Sequence, residues 1–134
     1  MKALVIDDNQ SVRTFVERVL EEAGYEVTTA KGGVHAQLLV LRYGPPDLVV
    51  TDESMPRMSG HEFAHWVRGN FPGVKVLFLT GYAEQLQRTA GADLWECVGY
   101  LEKPCSVRGL LQAVSLLMFK ALEAPSTSRQ PTAP

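Results

Sequence analysis

The chain has 134 residues, of which 46% are hydrophobic, and a formal net charge of −2 from 13 Lys and Arg against 15 Asp and Glu. This length fits one domain with a sizeable core, and the balanced charge excludes a strongly basic, nucleic-acid-binding surface. The apolar run at 3–6 ends at Asp7, too early for a signal peptide or a membrane span. We therefore expect a cytoplasmic protein that binds neither a membrane nor nucleic acid directly.

The first apolar run, 3–6, predicts a β-strand because it is continuous, short and followed by polar residues. Asp8 or Asn9 then caps a helix, and the helical spacing of its apolar residues stops at Gly24. A second strand is expected at 25–29.

The glycine pair 32–33 opens a second helix, which ends at the Gly-Pro-Pro sequence 44–46. A third strand begins at Asp47. After a loop, Ser59 is the expected cap of a third helix that continues to about Gly69.

A turn at 71–73 leads into a fourth strand at 76–79. The stretch 82–97 has a weak helical pattern that Gly91 interrupts, so a short helix and a long connection are expected there. A fifth strand follows at 98–102.

Ser106 begins a strongly amphipathic last helix that is expected to end at about Leu122. The remaining residues, 124–134, are rich in Pro, Ser and Thr and predict a disordered tail. The folded domain is therefore expected to span 1–123. The alternation of strands and helices predicts an α/β fold, a doubly wound five-stranded parallel sheet with helices on both faces.

Polar residues stand where four of the predicted strands stop. Asp7 and Asp8 follow the first strand, Asp52 follows the third, Thr80 the fourth and Lys103 the fifth. Ligands of open parallel sheets bind at the carboxyl ends of the strands, so these side chains should share one site. A site in which one Asp attacks a phosphoryl group with the help of a bound divalent cation would use all of these side chains.

The ordered set of these motifs resembles the response-regulator receiver domain of two-component signalling, over residues 2 to about 122. The motifs that carry the resemblance are the acidic pair 7–8, Asp52 with the Met-Pro-x-Met-x-Gly loop 55–60, the Leu-Thr-Gly at 79–81 and the Tyr-x-x-Lys-Pro at 100–104. The resemblance implies a flavodoxin-like sheet with strand order 2-1-3-4-5.

It also implies that Asp52 accepts a phosphoryl group from a histidine kinase or a histidine phosphotransfer protein. The implied cofactor is Mg²⁺, bound directly by Asp8, Asp52 and the backbone carbonyl of Ser54, with Asp7 acting mainly through water. Oxygen ligands of this kind suit Mg²⁺. Such a chain is not an enzyme in the usual sense, since it catalyses only its own aspartyl phosphorylation and dephosphorylation.

By the same resemblance, Lys103 and the Thr80 hydroxyl are the catalytic donors that stabilise the phosphoryl transition state. Thr80 and Tyr100 are the switch residues, Tyr100 turning inward after phosphorylation, and the Lys103–Pro104 bond is cis. The sequence 78–83 and the weakly helical stretch after it are similar to receivers of hybrid histidine kinases. A stand-alone regulator remains equally compatible with the sequence.

Two alternatives come from other classes. His61, Glu62 and His65 match the H-E-x-x-H helix of zinc metalloproteases, although helical spacing places Phe63 and Val67 on the buried side and both His residues in solvent. A flavodoxin-like cofactor binder would share the fold but would need a phosphate-cradling loop where Asp7 and Asp8 stand.

The last helix carries more apolar residues than one buried face needs. The stripe expected to cover the sheet is Val107, Leu110, Leu111, Val114, Leu117 and Met118. Leu116 and Phe119 fall outside it, and we expect them to form a partner surface, with phosphorylation-dependent self-association as one use.

Overall fold

The computed structural model describes residues 1–81 and 98–127. The weak helix expected within 82–97, and the end of the expected tail at 128–134, lie outside the described residues.

Five parallel strands form one sheet in the order β2-β1-β3-β4-β5, which confirms the predicted topology. The strands are β1 (Lys2–Ile6), β2 (Glu26–Ala30), β3 (Leu48–Thr51), β4 (Lys75–Thr80) and β5 (Val98–Glu102). Because the three inner strands are covered on both faces, their sequences are continuously apolar rather than alternating.

Four helices are described, and their starts follow the capping signals of the sequence. They are α1 (Gln10–Glu22), α2 (Gly33–Tyr43), α3 (Gly60–Asn70) and α4 (Val107–Thr127). Asn9 caps α1, its side chain accepting a hydrogen bond from the backbone N–H of Val12. Ser59 and Glu62 form a capping box at the start of α3. None of the helices in the described residues is both long enough and apolar enough to cross a membrane.

The last helix is longer than expected. The sequence predicted its end at about Leu122 and a disordered tail from Ala124, whereas α4 continues to Thr127. Residues 121–124 have high intrinsic helix propensity. The helix therefore includes residues 124–127.

The core has two layers, one on each face of the sheet. Helices α2 and α3 cover the side chains of Leu4 and Ile6, whereas α1 and α4 cover those of Ala3 and Val5. Successive residues of β1 thus face opposite layers, as the period of a strand requires. This packing fixes the strands firmly and leaves their carboxyl ends together at one edge.

Candidate functional site

The sheet brings the predicted strand-end residues to a common edge. Asp7 directly follows β1, Asp52 follows β3, Thr80 is the last residue of β4 and Lys103 follows β5. These four strands are consecutive neighbours in the sheet. Asp7 and Thr80 are almost fully buried, and Asp52 is 9% exposed.

Three carboxylates converge in this edge, as the sequence predicted. Asp7, Asp8 and Asp52 each offer an oxygen, and these atoms lie within 4.8 Å of one another. Asp8 is exposed and Asp7 is buried, so the cluster is open to solvent on one side. Carboxylate oxygens with room for water are the ligand set that Mg²⁺ takes in proteins, so the residues fit this ion.

Asp7 is held by contacts to both of its carboxylate oxygens. Oδ1 accepts a hydrogen bond from the backbone N–H of Asn9 at 2.9 Å, and Oδ2 accepts one from Lys103 Nζ at 2.9 Å. The backbone carbonyl of Asp7 also accepts from Arg13 Nη1. A buried carboxylate needs such partners, and they fix its position in the site.

Lys103 lies between two of the carboxylates. Its Nζ is 2.9 Å from Asp7 Oδ2 and 3.6 Å from Asp52 Oδ2. Its backbone N–H donates to the carbonyl of Thr80 at 2.9 Å, which holds the end of β5 against the end of β4. The Lys103–Pro104 bond is cis, as the resemblance implied.

The pKa of Asp52 is raised above its usual value, first because burial disfavours the charged carboxylate. The Lys103 ammonium lowers it and the Asp7 carboxylate raises it, while hydrogen bonds from the backbone of Glu53 and Ser54 lower it. Ionised Asp52 is thus incompletely compensated by the protein itself. A bound cation would supply the missing positive charge.

Tyr100 occupies an inward position. Its ring stacks on Phe78 with centroids 5.3 Å apart and an interplanar angle of 13°. Its hydroxyl is buried and has no hydrogen-bond partner in the part of the chain that the structure describes. Burial raises the pKa of the Tyr100 phenol, and the charge of Glu53 raises it further.

In the described part of the chain, the H-E-x-x-H sequence is not among the groups of side chains that could hold a metal ion. The Glu62 carboxylate accepts from the Ser59 backbone N–H at 2.9 Å, so it serves the helix cap. The prediction that both His side chains face solvent was correct for His65, which is exposed, and wrong for His61, whose side chain is 21% exposed. His61 lies in the first turn of α3, where the helix approaches the sheet, and its ring packs on Phe78 with centroids 4.8 Å apart.

Glu53 is a residue of this region that the sequence analysis did not place. In the structure its backbone N–H donates to Asp52 Oδ1 at 2.8 Å, and its carboxylate accepts from the backbone N–H of His61 at 2.9 Å. Glu53 thus connects the phosphoacceptor segment to the first turn of α3.

The surface of α4 is more apolar than predicted. Leu116 and Phe119 are 73% and 55% exposed, as expected, but Val107 and Leu111 of the predicted covering stripe are exposed as well. The residues of that stripe that are buried against the sheet are Leu110, Val114 and Leu117.

Comparison with known proteins decides the family. The sequence profile of the response regulator receiver domain matches residues 3–115. The chain belongs to this family. Receiver domains are phosphoacceptors that interact with histidine kinases, and they are generally not enzymes that act on a separate substrate. Neither the zinc-protease alternative nor the flavodoxin-like alternative is supported.

Two relatives show how receivers occur in longer proteins. The response regulator MprA of Mycobacterium leprae is 35% identical over 118 residues, covering 88% of this chain and 51% of MprA. The sensor kinase CckA of Brucella abortus is 34% identical over 119 residues, covering 87% of this chain and 12% of CckA. The chain thus spans about half the length of MprA and is also similar to the receiver of a sensor kinase.

A solved structure supports the fold. The response regulator TrrA of Thermotoga maritima, solved in complex with Mg²⁺ and BeF, superposes with a TM-score of 0.74 at 32% identity. The match covers 87% of this chain and 97% of the TrrA chain.

Proposed function

We propose that this receiver accepts a phosphoryl group on Asp52 from a histidine kinase or a histidine phosphotransfer protein. One observation carries the proposal: Asp52, a residue 9% exposed, directly follows an inner strand, and its carboxylate lies next to Lys103 and within the acidic cluster. Asp7 and Asp8 flank it, and Asp7 Oδ2 also contacts Lys103 Nζ, but Asp52 is the carboxylate that follows β3, the central strand of the sheet.

In the proposed reaction, an oxygen of Asp52 attacks phosphorus and forms an aspartyl phosphate. The phosphorus–nitrogen bond of the donor phosphohistidine breaks, and its electron pair stays on the imidazole nitrogen, which takes up a proton. Lys103 Nζ and the Thr80 hydroxyl stabilise the negative charge that spreads over the phosphoryl oxygens in the transition state. In the same site, attack of water on phosphorus breaks the phosphorus–oxygen bond to Asp52, which releases inorganic phosphate and returns the carboxylate.

The residues that would hold Mg²⁺ are Asp8, Asp52 and the backbone carbonyl of Ser54, with Asp7 reached through water. When bound, the ion supplies positive charge that offsets the repulsion between the carboxylates and the phosphoryl group. Support comes from the close approach of the three carboxylates and from TrrA, which was solved with Mg²⁺ and BeF.

The switch is assigned to Thr80 and Tyr100, and the response to a partner surface on α4 that includes Leu116 and Phe119. Phosphorylation-dependent self-association through these two exposed side chains is the proposed use of that surface. A cytoplasmic location, where histidine kinases present their phosphoryl group, completes the proposal.

The test is incubation with acetyl phosphate, a small phosphoryl donor, followed by intact-mass measurement. We expect one phosphoryl group to be added in the presence of Mg²⁺ and none in EDTA. The same incorporation in both buffers would contradict the assignment of the metal site, and no incorporation in either would contradict the function.

A further inference from the structure

A hydrogen-bonded pair connects the phosphoacceptor segment to helix α3. Glu53 Oε1 accepts from the backbone N–H of His61 at 2.9 Å and lies 3.1 Å from His61 Nδ1. The backbone carbonyl of Glu53 accepts from the N–H of Gly60 at 3.0 Å. A carboxylate oxygen accepts, so the contact with Nδ1 is a hydrogen bond when Nδ1 carries the ring proton. Glu53 thus fixes both the backbone and the ring of His61.

The ring held in this way packs against the core. Its centroid is 4.8 Å from that of Phe78, which is fully buried in β4. Phe78 in turn stacks on Tyr100 at 5.3 Å, and the two are register partners in the β4–β5 pair. A continuous set of contacts therefore leads from Asp52 through Glu53, His61 and Phe78 to Tyr100.

Two buried polar atoms at this set of contacts have no hydrogen-bond partner in the part of the chain that the structure describes. They are His61 Nε2 and the Tyr100 hydroxyl. Buried polar atoms are usually paired, and within residues 1–81 and 98–127 neither ring has a hydrogen bond at its outer atom. Both rings contact the ring of Phe78, and close-packed interiors transmit displacements between such neighbours.

We propose that His61, fixed by Glu53, is a positioning residue that holds Phe78 and thereby Tyr100 in the inward position. The proposal rests on the proposed function of Asp52, because Glu53, the residue that anchors His61, directly follows the proposed phosphoacceptor. It assigns this receiver a connection between Asp52 and Tyr100 on the α3 side of the sheet.

The competing explanation is that Glu53 only caps α3. A cap would need the Glu53 carboxylate and the His61 backbone N–H, but neither the imidazole nor its contact with Phe78. His61→Asn separates the two explanations, since it keeps the backbone N–H and a side-chain donor near Nδ1 but removes the part of the ring that packs on Phe78.

The experiment measures the affinity of the protein for beryllofluoride, a phosphoryl mimic, at saturating Mg²⁺ from the ¹⁹F NMR signal of the bound form. If His61 holds Tyr100 inward, His61→Asn weakens this affinity by about 2- to 30-fold, the usual range for residues between coupled sites. In a Tyr100→Ala background the same substitution has no further effect. His61→Phe keeps an aromatic ring on Phe78 and loses less affinity than His61→Asn.

The matched control is His65→Asn, the same substitution at an exposed position of the same helix. It should leave the affinity unchanged. If His61→Asn does not fold, His61→Gln, which also lacks the ring, takes its place in the cycle.

An equal loss in the wild-type and Tyr100→Ala backgrounds would overturn the proposal, because His61 would then act on Asp52 without Tyr100. No loss in either background would overturn it as well. If wild-type protein does not bind beryllofluoride, the proposed function fails, and positioning is tested alone in protein labelled with 3-fluorotyrosine. A ¹⁹F shift of Tyr100 that changes in His61→Asn but not in His65→Asn supports positioning, and an unchanged shift contradicts it.

Discussion

Asp52 is an ionisable residue in a position that disfavours its own charge. Burial is the largest cause of its raised pKa, and the neighbouring Asp7 carboxylate adds to the effect of burial. A functional group that is unfavourable in its surroundings often lowers the free energy of unfolding of the protein, because function requires it there.

The first prediction is that Asp52→Asn stabilises the metal-free protein at neutral pH, by about 0.5–2 kcal/mol. The folded pKa of Asp52 lies above its unfolded value, so the folded state binds more protons between the two values. Stability therefore falls as pH rises from the unfolded pKa through the folded one. Urea unfolding in EDTA should show the advantage of Asp52→Asn at pH 7.5.

The advantage should disappear below the unfolded pKa of Asp, about 3.9, where both forms of the protein have a neutral side chain at this position. An Asp52→Asn variant that is less stable than wild type at pH 7.5 in EDTA would contradict the prediction.

The second prediction concerns Asp8, the exposed carboxylate of the acidic cluster. Mg²⁺ binds the folded state and should raise the melting temperature in proportion to its occupancy. Asp8→Ala should abolish this rise, while Glu22→Ala, which removes an exposed carboxylate at the end of α1, should retain it. A retained rise in Asp8→Ala would place the ion elsewhere.

The sequence predicted which residues meet at the site where those residues stand at the ends of strands. Asp7, Asp52, Thr80 and Lys103 each follow or end an apolar run, and parallel strands bring those ends together. The pairing of Glu53 with His61 was not predictable, because it depends on how closely the first turn of α3 approaches β3 and β4. Neither spacing nor helical periodicity contains that distance.

At the scale of elements, the start of α3 lies very close to the phosphoacceptor. A Cβ atom on Gly60 would overlap the backbone carbonyl oxygen of Asp52 and would lie 3.0 Å from the Phe78 ring. The absence of a side chain at this one position lets the helix N-terminus approach the site.

The third prediction is that Gly60→Ala destabilises the fold by about 1–3 kcal/mol, the usual cost of forcing extra volume into a packed region. The backbone carbonyl of Asp52 cannot move aside as a flexible side chain would. The control is Gly69→Ala in the same helix, where nothing lies within 4 Å of the added Cβ. It should stabilise the protein by about 0.5–1 kcal/mol through helix propensity.

Urea unfolding of the two variants measures both effects. Equal stabilities of the Gly60→Ala and wild-type proteins would show that α3 can shift away from Asp52 at no cost.

The ends of elements were less predictable than their order. Residue type alone predicted Asp8 or Asn9 as the cap of α1 and Ser59 as the cap of α3, and Asn9 and Ser59 accept the expected backbone hydrogen bonds. The end of α4 has no comparable signal, since Pro125 and the Ser and Thr residues after it suggested a tail. The helix nevertheless continues to Thr127 because residues 121–124 favour helix.

At the scale of the whole molecule, the alternation of apolar runs and helical patterns was sufficient to predict a parallel, doubly wound sheet. The strand order came from the resemblance to receivers and is confirmed. Exposed apolar side chains were predictable only in part, because the width of the face that α4 buries depends on its exact rotation against β4 and β5. Leu116 and Phe119 were correctly predicted to lie outside this face. Val107 and Leu111 were predicted to lie within it, but both are exposed.

The fourth prediction is that beryllofluoride with Mg²⁺ increases self-association through α4. Sedimentation velocity should show a larger species with the mimic, and Phe119→Ser should remove it. Leu38→Ser is the matched control, since Leu38 is 61% exposed on α2, away from the proposed surface. A protein that stays monomeric with and without the mimic would exclude self-association, and an equal effect of both substitutions would exclude the surface.

The fifth prediction is the direct test of the central claim, that Asp52 is the sole phosphoacceptor. After incubation with acetyl phosphate and Mg²⁺, borohydride reduction converts an aspartyl phosphate to homoserine, which peptide mass spectrometry locates. We expect the conversion at Asp52 alone, its complete loss in Asp52→Asn, and its retention in Glu53→Gln, a neighbouring acidic residue changed in the same way. Homoserine at Asp7 or Asp8, 2-amino-5-hydroxypentanoic acid at Glu53, or phosphoryl incorporation that survives in Asp52→Asn would contradict the claim.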